Sequence, residues 1–294
     1  MTSIRKRTLP FCLAVLLAGA GLSAAAAEAP PKASTALPGV SLLSPQLDMP
    51  GLKRQRQVRL YLPPGYATSG KRYPVLYMHD AQNLFDNATA YAGEWKVDET
   101  LDALSKAGQL DLIVVGIDNG QKDRMTELNA WHNPRFGPAP EGREYMDFIV
   151  KVVKPLIDSR YRTLPDRANT AIMGSSMGGL ISHYAIAQYP QVFSKAGVFS
   201  PAYWTAQESF DFVAGRPLPK DARVFMLMGE KEGDSMVPDV ERMAAVVRKT
   251  GHPERNLVLK IVPGAQHNEG FWSSEFREAV LWLFKPETNQ HAAR

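Results

Sequence analysis

The sequence holds one cysteine in 294 residues, Cys12, and it lies inside an apolar stretch near the start of the chain. A chain this poor in thiols has no disulfide framework, and no thiolate cluster to hold a metal. It has no His-Glu-x-x-His pair for a zinc helix and no Gly-Lys-Ser/Thr loop to cradle phosphates. The apolar stretch itself, Leu9 to Leu22, is short for a membrane span. These absences set aside thiol nucleophiles, zinc-helix proteases and nucleotide-driven machines, and they point to chemistry done by oxygen and nitrogen side chains.

Arg5, Lys6 and Arg7 precede the apolar stretch, and Ser23-Ala24-Ala25-Ala26-Ala27 follows it. A charged start, an apolar middle and small residues at the end read as a secretory signal peptide over residues 1–27. Arg5-Lys6-Arg7 has no adjacent arginines, so it does not fit the twin-arginine route. The expected location is therefore periplasmic or secreted, with no stable membrane anchor after cleavage. Removing Arg5, Lys6 and Arg7 takes the 34 basic residues to 31, against 30 acidic ones. A balance so near neutrality gives no ground for a nucleic-acid partner or an anionic membrane surface.

Residues 28–50 are rich in Ala, Pro and Ser and read as a flexible lead-in. Residues 51–294 then read as one domain. Gln55 to Leu62 alternates, with Val58, Leu60 and Leu62 on one face and Arg59 and Tyr61 on the other, as in a half-exposed strand. Tyr73 to Met78, Leu110 to Ile117, Ala196 to Phe199, Val224 to Met228 and Leu257 to Val262 are short, continuous apolar runs. Helical patterns fall between and after them, over Trp95 to Ala107, Tyr145 to Ile157, Met236 to Lys249 and a last stretch through Trp272, Phe276, Val280 and Leu283. Buried strands alternating with helices predict an α/β fold, with a mostly parallel central sheet, helices on both faces and an antiparallel edge at the start. Sites in such folds lie outside the carboxyl ends of the strands.

The chain is organised around Gly174-Ser175-Ser176-Met177-Gly178. Ala171-Ile172-Met173 before it ends a buried strand; Leu180, Ile181, Tyr184 and Ala185 after it recur at helical spacing until Pro190. Strand, sharp turn and helix around Gly-x-Ser-x-Gly make a nucleophile elbow, with Ser176 exposed at the top of the sheet. A serine hydroxyl needs a base to take its proton. Of His79, His132, His183, His252, His267 and His291, only His267 sits in the loop after the last strand, which is the base position in the α/β-hydrolase order. The orienting acid should follow the strand ending at Met228. Glu230, Glu232 and Asp234 all qualify by position, and Glu232 is taken ahead of Asp234. Oxyanion donors are expected from the Met177 N–H and from the backbone of Ala81 or Gln82, after the strand ending at Met78. His79 and Asp80 are expected to shape that loop. Trp131 and Trp204, in loops at strand ends, are candidates for a substrate pocket. Ser176 has Gly179 three residues on, so the Ser-x-x-Lys arrangement is absent.

Together, the segments 79–86 (His-Asp-Ala-Gln-Asn-Leu-Phe-Asp), 124–128 (Arg-Met-Thr-Glu-Leu), 174–179, 229–234 (Gly-Glu-Lys-Glu-Gly-Asp) and 267–269 (His-Asn-Glu) resemble one esterase family of the α/β hydrolases. S-formylglutathione hydrolases, feruloyl and acetyl-xylan esterases and enterochelin (siderophore) esterases belong to it. The resemblance runs from about Gln55 to Phe284. It implies an α/β-hydrolase fold, a triad of Ser176, Glu232 and His267, an oxyanion amide from Ala81 or Gln82, and no metal or organic cofactor. The expected activity is hydrolysis of a carboxylic ester through an acyl-enzyme, on a small-molecule or glycan-linked substrate such as a polysaccharide-linked acyl ester or a siderophore lactone. Two rivals are an acyltransferase, separable by product analysis with an added acceptor, and a non-catalytic binding protein on the same scaffold, separable by organophosphonate labelling.

Overall fold

A computed structural model describes residues 32–137 and 139–286. The expected signal peptide, residues 1–27, lies outside the described residues.

In chain order the elements are β1 (Val40–Leu42), β2 (Leu47–Met49), β3 (Arg54–Arg56), β4 (Val58–Tyr61), β5 (Val75–His79), α1 (Val97–Lys106), β6 (Ile113–Ile117), α2 (Arg124–Glu127), α3 (Gly142–Phe148) and α4 (Lys154–Arg160). They continue with β7 (Thr170–Ser175), α5 (Met177–Gln188), β8 (Lys195–Phe199), α6 (Glu208–Ala214), β9 (Arg223–Gly229), α7 (Met236–Lys249), β10 (Leu257–Val262) and α8 (Glu269–Phe284). A π turn over Ile149–Val153 joins α3 to α4, so the helix expected at 145–157 is longer and underwound at its centre.

The main sheet runs β1-β4-β6-β5-β7-β8-β9-β10. From β6 to β10 all neighbours are parallel, and β1 and β4 form an antiparallel edge. Every residue of β5, β6, β7 and β9 is buried. That is why these strands read as unbroken apolar runs: both faces are covered, and each Val, Leu, Ile or Met so buried contributes about 1.5–3 kcal/mol. Leu180, Ile181 and Tyr184 of α5, with Val240 and Met243 of α7, pack into the core on one face. Leu101 and Leu104 of α1, with Phe276, Val280 and Leu283 of α8, pack into the core on the other.

Two readings of the N-terminal region are corrected. The segment 55–62 is two strands: β3 pairs with β2 in a separate ribbon, and β4 joins the main sheet. The segment expected to be a flexible lead-in is built into the fold from residue 32 onward. Thr35 N–H donates to Asp86 Oδ1, Leu37 N–H donates to Asp98 Oδ2, and β1 closes the sheet edge against β4. Ala, Pro and Ser content hid this because the strands β1 and β2 are too short to show a period, and the rest of the segment is held by side-chain bonds to distant residues.

One topological feature fixes where a site can form. From β5 the chain steps to β6 on one side, then crosses back to β7 on the other. The loops after β5 and β7 therefore part company, leaving a crevice at the strands' carboxyl ends.

Candidate active site

Six parallel strands are each followed by a residue of the candidate site, lining the crevice or lying just behind it. Asn119 follows β6, Asp80 and Gln82 follow β5, Ser176 follows β7, Ser200 follows β8, Glu232 follows β9 and His267 follows β10. Ser176 and His267 line the same cavity, of about 670 Å³.

Ser176 stands between β7 and α5 at φ 58° and ψ −119°, a region that L residues occupy only under constraint. The constraint is visible. Ser176 N–H donates to Phe199 O at 2.9 Å, and its own carbonyl accepts from Leu180 N–H at 3.0 Å and Ala202 N–H at 3.1 Å. Neighbouring glycines let the turn close. A Cβ on Gly174 would meet the Gly178 backbone and His79 Cδ2, both at 2.9 Å, and one on Gly179 would lie 2.5 Å from Phe199 O.

His267 Nδ1 is 2.7 Å from Glu232 Oε2; the Glu232 side chain is fully buried, while that of His267 is 35% exposed. Glu232 Oε1 accepts from Gly229 N–H at 2.7 Å and from Ser200 Oγ–H at 2.6 Å. Ser200 Oγ in turn accepts from Trp272 Nε1–H at 2.7 Å, and the Trp272 ring meets the His267 ring edge-on at 4.9 Å between centroids. The carboxylate is thus held from β8, β9 and α8 at once. Asp234, the alternative acid, is exposed on the same loop. Ser200 was missed in the sequence. Its signal was its place, directly after the strand that neighbours β7.

The loop after β5 turns sharply at Asp80 (φ 55°) into a short turn over Ala81–Asn83. Asn83 N–H donates to Asp80 O and Leu84 N–H to Ala81 O, which leaves the N–H groups of Ala81 and Gln82 outside the turn's own bonds. Gln82 lines the cavity, and its side chain is fixed by bonds to Asn119. Ala81 is fully buried with its Cβ toward Gly116, so its side chain faces the core. Met177 is the first residue of α5, where helix geometry leaves the N–H free of an intrahelical partner.

His79 and Asp80 shape this loop. His79 is buried beneath the elbow, with Nδ1 2.7 Å from the Tyr145 hydroxyl, and burial pushes its pKa down to about 4. It is a neutral packing group. Asp80 takes a two-pronged grip from Arg124, at 2.6 and 2.9 Å, and a bond from Asn119 Nδ2 at 2.7 Å. Burial alone would raise its pKa; the Arg124 guanidinium outweighs that and holds the carboxyl below its usual value. Glu269, also on the cavity wall, has its pKa raised by burial.

The expected pocket tryptophans are corrected. Trp131 packs edge-on against Tyr184 and Phe212, at 5.5 and 5.4 Å, and Trp204 is 45% exposed beside Phe136. Neither lines the cavity. Tyr91, Trp95 and Trp272 do. Both tryptophans lie in loops, but the Trp131 ring is captured by Tyr184 of α5 and Phe212 of α6.

A parallel sheet with an elbow serine at its switch point defines an α/β hydrolase. The family described as Putative esterase matches residues 50–283, and the chain belongs to that family. Its class is carboxylic ester hydrolase. The chain is 29% identical over 242 residues to an uncharacterized protein, YbbA, of Bacillus subtilis, covering 78% of this chain and 92% of that one. It is 24% identical over 239 residues to an endo-1,4-beta-xylanase/feruloyl esterase of Xylanibacter ruminicola, covering 79% of this chain but only 30% of that protein. Its fold superposes on the enterobactin esterase FES from Shigella flexneri, solved in the presence of enterobactin, with a TM-score of 0.69 at 18% identity, over 87% of this chain and 61% of that one.

Proposed function

We propose that this protein is an exported serine esterase that works through Ser176, His267 and Glu232. The observation that carries the reading is the 2.7 Å contact between His267 Nδ1 and a buried, triply bonded Glu232, on a cavity that also exposes Ser176. Nδ1–H donating to Glu232 leaves Nε2 as the base. In the proposed cycle Nε2 takes the Ser176 proton, and Oγ attacks the ester carbonyl carbon. The N–H groups of Met177 and Gln82 hold the resulting oxyanion. Nε2 then returns the proton to the departing alcohol, and water repeats the sequence to release the acid. Gln82 is favoured over Ala81 because it lines the cavity. No step calls for a metal.

The substrate is a small-molecule or glycan-linked ester. A wall of Tyr91, Trp95 and Trp272 with the Arg124 guanidinium nearby suits a hydroxylated aryl group close to the scissile bond, because the rings stack and the guanidinium N–H groups donate to its oxygens. That chemistry is common to feruloyl and catecholate siderophore esters. Export rests on the signal-like residues 1–27. Among the described residues no helix is long and apolar enough to cross a membrane.

The test is hydrolysis of p-nitrophenyl acetate and butyrate by wild type and Ser176→Ala. Loss of the nucleophile should cut turnover by a factor on the order of 10⁶. Equal activity in the two would mean the nucleophile lies elsewhere.

A further inference from the structure

Among the described residues, and apart from Glu232, which pairs with His267, the acids buried elsewhere in the body of the fold mostly meet an arginine. Asp80 meets Arg124, Asp118 meets Arg59, and Glu127 meets Arg54 and Arg56. Glu269 opens onto the active-site cavity. Asp98 does neither. It is fully buried in the first turn of α1, and no cation pairs with it among the described residues.

Two more carboxylates stand beside it. Lys96, at φ 55°, turns the backbone sharply just before α1, and this brings Glu94 back over the first helical turn, which carries Asp98 and Glu99. One oxygen from each of the three side chains lies within 4.8 Å of the others. Glu94 Oε1, Asp98 Oδ1 and Glu99 Oε2 are all buried and without a hydrogen-bond partner. The opposite oxygens of Glu94 and Asp98 are tied down. Thr35 Oγ1–H donates to Glu94 Oε2, and Leu37 N–H donates to Asp98 Oδ2, both at 2.9 Å. These outer bonds fix the Glu94 and Asp98 carboxylates, whose free oxygens lie beside that of Glu99.

Like charges held this close and out of water repel strongly, and orphaned buried acceptors are rare in folded proteins. Something positive belongs among these oxygens. An all-oxygen, acidic set with no nitrogen or sulfur suits a hard cation. Three protein carboxylates gathered within 4.8 Å of one another suit calcium, which takes several carboxylate oxygens, better than magnesium, which is usually held by one or two carboxylates and keeps several waters.

We propose that Glu94, Asp98 and Glu99 bind a calcium ion, with water completing its shell, and that this ion clamps the segment 32–37 to the start of α1. The site is separate from Ser176 and His267 and has a structural role. Its link to the cavity is Trp95, which lines the cavity and follows Glu94 directly.

The test uses the full-length protein stripped with a chelator, titrated with calcium chloride by calorimetry and followed by thermal unfolding. One calcium per chain is expected, with a rise in Tm of about 5 °C or more at a hundredfold excess over Kd. Glu94→Gln and Glu99→Gln, both at half-buried positions, should fold and lose the shift. The proposal is overturned if the stripped, folded wild type takes up no calcium at millimolar concentration, or if either variant keeps the full shift. A magnesium shift as large as calcium's at the same concentration would overturn the calcium assignment. If Asp98→Asn stabilises a wild type that ignores calcium, the oxygens share protons and the site does not exist.

Discussion

Replacing Glu232 by glutamine changes one atom of the proposed triad and little else in shape. Glu232 Oε1 accepts from two donors, Gly229 N–H and Ser200 Oγ–H, while Oε2 faces His267. An amide cannot accept at both ends. If its oxygen keeps the two donors of the inner pair, its NH₂ must face His267. Nδ1 then becomes an acceptor, the proton moves to Nε2, and the imidazole can no longer take the Ser176 proton. The same change of tautomer in the serine-protease template, an Asp→Asn substitution, lowers turnover by about 10⁴, which is about 5.4 kcal/mol in the barrier. We expect Glu232→Gln to lose about that factor in kcat on p-nitrophenyl acetate, with its unfolding midpoint little changed because both inner bonds survive. Asp234→Asn, at an exposed position, should stay within about twofold of wild type. If Glu232→Gln keeps a tenth of wild-type activity or more, the acid has been misassigned.

His183 is fully buried, and its pKa is lowered to about 4 by desolvation alone. The unfolded chain, near 6.5, takes the proton first. The neutral-His183 contribution to stability is therefore complete above pH 6.5 and lost as pH falls towards 4, by up to about 3 kcal/mol. Urea unfolding should show wild type losing stability relative to His183→Gln over that window, and a constant gap would refute the assignment. Gly179→Ala puts a Cβ against Phe199 O. It should cost about 1–3 kcal/mol in unfolding free energy, and a neutral result would mean that α5 can slide away from β8.

The sheet was legible because its strands are unbroken apolar runs and its helices keep their period; α7 and β10 fall on the residues their patterns mark. The strand-turn-helix around Ser176 was legible for the same reason, and chain order brought attention to His267 and Glu232. What stayed hidden depended on residues far apart in sequence. Nothing near Glu232 announces Ser200, which reaches it across 32 positions. Nothing in the Ala-, Pro- and Ser-rich start announces bonds to Asp86 and Asp98. Trp131 was misread because loop position says nothing about which apolar neighbours will capture a large ring.

The strand β10 is the sheet's last, paired only with β9, and five of its six residues are no more than half-buried. His267 hangs from that strand's end, whereas Ser176 hangs from the fully buried β7. The two halves of the proposed proton relay thus sit on ground of unequal firmness. An edge strand is where local opening begins, at a fraction of the cost of global unfolding. Warmed or lightly denatured, the molecule can part with its base while the serine, its elbow and the central strands stay in place, so that inactivation and unfolding become two separate events.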